Sequence, residues 1–138
     1  MRIRMLLGAV LTTLIIGAAV PAAQAGQRRQ MVRAINYVRS LNHRHHLRFS
    51  ARLSRGAAAW AHHLMRLQIL GHASGVQGEV IEWHTGGGAL INRTVTEWWN
   101  SSEHRDVMLG SFRRAGAGRA VGYFGGRRCT IWVARFGR

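Results

Sequence analysis

Lysine is missing from this chain, acids are scarce and cysteine occurs once. Each absence excludes something. A single cysteine, Cys129, rules out an intramolecular disulfide, so packing has to hold the fold. Cys129 lies near Ile131 and Val133, which points to a buried strand rather than an activated thiol. The 5 acids, Glu79, Glu82, Glu97, Glu103 and Asp106, are confined to positions 79–106, while all 20 basic residues are arginine and the formal net charge is +15. Codon bias toward arginine would explain the missing lysine but not the confinement of the acids. A surface this positive attracts polyanions: an acidic cell-wall polymer, anionic lipid or nucleic acid. Long apolar runs are also lacking. The longest, Met5–Val20, is about 16 residues, short of the ~20 that span a bilayer.

That run follows the basic Met1–Arg4 and precedes Pro21-Ala22-Ala23-Gln24-Ala25, which ends small-x-small. The pattern is that of a secretory signal peptide over residues 1–25, cleaved after Ala25 and leaving no membrane span. An exported destination makes nucleic acid the least expected of the three partners. Residues 26–138 then form one domain of ordinary size, expected to be a monomer.

Along that domain, Met31, Ile35, Val38 and Leu41 recur at helical spacing and predict a helix over Gln27–Leu41. A polar connector holding His43, His45 and His46 follows, read as solvated rather than metal-binding. Ser50 is an N-cap candidate for a second helix with Leu53, Ala57, Trp60, Ala61, Leu64 and Leu67 on one side, ended by Gly71. His62 and His63 are adjacent on that helix and point about 100° apart, too far to share one ion. Glu79–Trp83 reads as a short strand, and Asn92 or Thr94 as the start of a third helix. Ser102 is expected to cap a short fourth helix ending at Gly110. Ala115–Phe124 and Cys129–Phe136 form a β-hairpin turned by Gly125-Gly126. Three helices and a late hairpin make an α+β domain.

Three side chains stand out chemically. His72 follows a helix end, Glu79 follows a glycine, and His104 sits in the first turn of a short helix. Two histidines and a carboxylate are the donor set of an open zinc site. The same set can do acid–base work without metal, or form a buried cluster that only pins a loop. Spacing alone does not bring them together.

Several elements, in order, resemble the CAP superfamily (cysteine-rich secretory proteins, antigen 5, pathogenesis-related 1), most closely its bacterial SCP-type domains. They are Asn36-Tyr37-Val38-Arg39, Ala58-Ala59-Trp60-Ala61-His62, Gly71-His72-Ala73-Ser74, Gly78-Glu79-Val80-Ile81, Trp99 through Leu109 (WNSSEHRDVML), Ala115-Gly116-Ala117-Gly118, and Trp132 to Gly137. The resemblance implies an α-β-α sandwich with a central antiparallel sheet. It also implies a cleft where His72, Glu79 and His104 converge beside Ser101 and Arg105. In that family paired cleft histidines can hold zinc, here His72 and His104. The chain departs from the pattern at Val80, where Asn is usual, and at Ala134, where Gln is usual. It also lacks the second cleft glutamate and the late histidine of longer members. The function expected is a secreted or envelope-located, non-enzymatic module binding lipid or an anionic wall polymer. The alternative is a zinc hydrolase with His72 and His104 as ligands and Glu79 as base.

Overall fold

A computed structural model describes residues 21–138, so residues 1–20, most of the expected signal peptide, lie outside it. The first helix, α1, spans Ala22–Leu41 and starts after Pro21, five residues earlier than the apolar pattern suggests. Ala22, Ala23 and Ala25 are exposed on its first turn, and its buried contacts begin at Arg28. Met31, Val32 and Ile35 carry the core, whereas Leu41 is exposed because the chain turns away immediately after it.

The next elements are β1 (Arg48–Phe49), α2 (Ala51–Leu67), β2 (Gly78–Thr85), α3 (Ile91–Asn100) and α4 (Ser102–Met108). The chain closes with β3 (Arg114–Phe124) and β4 (Arg127–Gly137). Ser50 caps α2 as expected, its hydroxyl accepting the Leu53 N–H at 3.2 Å. That helix ends at Leu67, not Gly71, because Gln68 takes the left-handed conformation and its side-chain amide bonds the Met65 and Tyr123 carbonyls. Leu67 is therefore exposed.

The sheet order is β1-β3-β4-β2, antiparallel apart from the two-residue β1, which runs parallel to β3. Gly125 and Gly126 both have positive φ, as a tight hairpin turn requires. Alternation along β4 sorts the core into two layers. Trp132, Ala134 and Phe136 join Met31, Ile35, Val80 and Trp98 beneath α1 and α3. Cys129, Ile131 and Val133 join Ala57, Ala61 and Leu64 beneath α2. This is the expected α-β-α sandwich, with Cys129 fully buried.

Gly116 and Gly118 set how close α2 lies. A Cβ at either would overlap the helix backbone at Ser54 and Ala58. The buried Ser54 hydroxyl accepts the Ala117 N–H at 3.0 Å and locks the contact.

Candidate functional site

Antiparallel pairing of β2 with β4 places Glu79 directly opposite Arg135 on the α2 side of the sheet. The Glu79 carboxylate is buried, and both of its oxygens accept hydrogen bonds. Its Oε2 accepts from Arg135 Nε at 2.8 Å, and its Oε1 accepts from the Ala73 N–H at 3.0 Å and from His72 Nδ1 at 3.1 Å. Gly56 makes room for the arginine, since a Cβ there would stand 2.8 Å from Arg135 Nη1. The Trp60 indole donates to the Gly71 carbonyl at 2.9 Å and ties α2 to the segment carrying His72.

A carboxylate accepts only, so His72 Nδ1 holds the shared proton. The rest of the ring is turned outward, with 60% of the side chain exposed. Glu79 thus orients His72, as a carboxylate orients a histidine behind a metal. It has no idle oxygen with which to serve as a base.

His104 lies in α4, on the other side of β2 from Glu79. Strand alternation turns Glu82, not Glu79, toward α3 and α4. Burial is the main influence on His104 and pushes its pKa down; Glu82 and Glu103 pull it up, and the His72 charge pushes it down further. Its Nδ1 is buried and unpartnered. Among the described residues no three His, Cys, Asp or Glu side chains stand close enough to hold a metal ion. The donor types suit zinc, but the carboxylate is turned to Arg135, so the three do not form a ready ligand set.

The corner between α3 and α4 differs from expectation. Ser101, not Ser102, occupies the cap position, and its hydroxyl makes no capping bond. The Arg105 N–H to Ser101 carbonyl bond at 2.9 Å and the Arg105 Nη1 bond to the Trp99 carbonyl at 3.1 Å hold the corner instead. The Arg105 guanidinium also lies 5.4 Å from the Trp99 ring centre. Arg105 is spent on structure. Helix α3 begins at Ile91, ahead of both predicted starts. The Thr94 hydroxyl donates back to the Leu90 carbonyl at 3.0 Å and accepts from the buried His84 Nε2 at 2.9 Å.

Sequence reasoning missed Arg135, Glu82 and His84. Only strand register reveals them, because it alone says which side chain faces which.

Residues 32–136 match the sequence profile of the cysteine-rich secretory protein family, CAP. No curated protein is similar enough to match. Solved structures are similar in fold at low identity. An outer surface protein from Borrelia burgdorferi is 16% identical with a TM-score of 0.58, covering 80% of this chain and 91% of its own. BmVAL-1 is 18% identical with a TM-score of 0.60, covering 89% and 80%. An extracellular SCP-domain protein from Bacillus anthracis is 17% identical with a TM-score of 0.53, covering 85% of this chain and 44% of its own.

Proposed function

This chain belongs to the cysteine-rich secretory protein (CAP) family, and from that premise we propose that it is an exported, non-enzymatic module binding an acidic polymer of the cell envelope. One observation carries the reading: the molecule is divided by charge. All acids sit on β2, α3 and α4, while the connector after α1, the start of α2 and the outer end of the β3–β4 hairpin opposite its turn carry arginine alone. Arginine's planar fork matches phosphate and carboxylate groups. Export is supported by the leader-like N-terminus and by the extracellular or surface description of two structural relatives. No helix among the described residues is long and apolar enough to cross a membrane.

The engaged state of Glu79 weighs against the zinc hydrolase. A base on metal-bound water needs a free carboxylate oxygen, and Glu79 spends both on Arg135, Ala73 and His72.

The test is co-sedimentation of the purified protein with isolated cell walls, before and after their acidic polymers are extracted, at about 50 mM and about 500 mM salt. Binding that needs the polymers and fades at high salt is expected. Retention on extracted walls at either salt would overturn the reading. A zinc titration by calorimetry against the His72→Ala/His104→Ala variant decides the alternative: one-to-one binding lost in the variant would revive it.

A further inference from the structure

Two concave surfaces open beside each other at the arginine-rich end. The first, about 440 Å³, lies between the start of α2, the loop before β2 and the ends of β3 and β4, with Arg52 and Arg135 in its wall. The second, about 740 Å³, lies between the connector after α1 and the loop before β3, with Arg44, Arg48 and Arg113 in its wall. Arg114 and Arg138 line both, so the two adjoin. No acidic side chain lines either one. Among the described residues, Arg44, Arg48, Arg113 and Arg114 are exposed and pair with no carboxylate.

Two further observations show that positive charge is crowded here at a cost. Parallel pairing of β1 with β3 sets Arg48 directly beside Arg114, and like charges in that relation repel. In the second concavity Arg39 is buried with no acid partner. It donates instead to the carbonyls of His45 at 2.9 Å, Met108 at 2.6 Å and Gly110 at 3.0 Å. Burial, and then the charge of Arg44, make its protonated form less favourable. A negatively charged occupant would relieve both.

Shape narrows the occupant. A flat bilayer surface does not reach the walls of two recesses. Single-stranded nucleic acid needs exposed rings on which bases stack. The phenyl rings present, Phe112 and Phe136, pack on each other at 5.4 Å, and Phe136 is buried. The exposed rings are the small imidazoles of His43, His45 and His46 in the second recess, with no tryptophan or tyrosine beside them. A flexible, base-free chain with an anionic group on each unit can thread both recesses.

We infer that these two recesses, which adjoin at Arg114 and Arg138, form one binding site for a linear polymer bearing repeated phosphate or carboxylate groups, bordering the His72–Glu79 cluster at Arg135 but using neither His72 nor Glu79. This rests on the polymer-binding reading above and gives that binding a location.

The test measures affinity for polyphosphate and for polygalacturonate across a salt series, with phosphatidylglycerol vesicles and a single-stranded oligonucleotide as the other arms. It compares three purified proteins: the unaltered chain, an Arg44→Ser/Arg48→Ser/Arg113→Ser variant, and an Arg33→Ser/Arg66→Ser/Arg127→Ser variant. The last loses the same charge elsewhere. Should the first variant melt abnormally, Arg52→Ser/Arg114→Ser replaces it. The expected result is polymer binding with a steep salt dependence. The recess variant should lower the slope of log K against log salt by about 2, at roughly 0.7 per lost contact, while the matched variant keeps nearly the full slope. The preferred polymer tells phosphate from carboxylate. Equal loss in both variants would overturn the site while leaving polymer binding intact. Tighter binding to vesicles or oligonucleotide would overturn the ligand class. No binding of either polymer by the unaltered chain would remove the parent reading as well.

Discussion

The two ends of this molecule use charge in opposite ways. On β2 the buried polar groups are answered from within the protein: Glu79 by Arg135, His72 and Ala73, and His84 by Thr94. Around Arg114 the arginines have no acidic side chain beside them, and Arg48 and Arg114 face one another. The motif that identifies the family therefore lies where side chains are busy holding the fold. The unspent binding capacity lies in Arg44, Arg48, Arg113 and Arg114, which stand outside the motif elements.

The sharpest way to break this comparison is to unpair Glu79. Glu79→Ala leaves Arg135 mostly buried without its partner and removes the acceptor for Ala73 and His72. The expected loss is about 3 kcal/mol, visible as a large fall in the denaturation midpoint. By contrast, Arg113→Ser in the recess should move stability by no more than about 0.5 kcal/mol. Equal effects would mean that the two ends do not differ as described.

Arg39 is the informative exception on the arginine side, because it is buried and its donors meet three backbone carbonyls. Arg39→Met leaves those carbonyls without a protein donor, and a loss of about 2 kcal/mol is expected. Polymer binding per folded molecule should also weaken, because Arg39 lines the second recess and an anionic occupant offsets its charge. A harmless Arg39→Met would place Arg39 with the free arginines instead.

Acidification should act on the motif side. Burial is the leading cause that holds His84 and His104 below the ordinary imidazole value of 6.5, with Glu82 opposing it in both. The unfolded chain then takes up protons that the folded chain refuses. The stability these groups contribute is full above pH 6.5 and is lost as pH falls below it. Melting temperature should therefore drop between about pH 7.5 and about pH 5.5. His84→Gln retains a donor for Thr94 and should flatten part of that drop. An unchanged acid slope in this variant would mean that His84 is not the group responsible.

Much of the fold was legible in the sequence because its signals are local. Helical spacing marked α1, the cap at Ser50 started α2, and Gly125-Gly126 turned the hairpin. Misplaced boundaries came from long-range contacts. Gln68 stops α2 early by reaching across to Tyr123, and Thr94 belongs inside α3 because its hydroxyl serves Leu90 and His84. The candidate site was legible in its residues but not in their pairing. That Glu79 would meet Arg135, 56 positions away, depends on a β2–β4 register that no short motif records. The arginine recesses are visible in composition only as the absence of acids. Their geometry needs β1 against β3, and a two-residue strand leaves almost no pattern to read.

That short strand gives the smallest effect and the finest test. Arg48 and Arg114 stand side by side across β1 and β3 with no acid nearby. Arg48→Thr removes one charge and supplies a residue that favours extended backbone. If the repulsion is present in the free protein, the variant should be more stable by about 0.3 kcal/mol at low salt. The gain should disappear at high salt, where exposed charges are screened. The same change should weaken binding to the anionic polymer. A residue whose removal helps the empty protein and harms the complex is one whose charge serves the ligand. If Arg48→Thr instead destabilises at every salt concentration, the arginine is part of the packing and the contrast between the two ends narrows. Paired melts in low and high salt, read beside the polymer titration, separate the two cases.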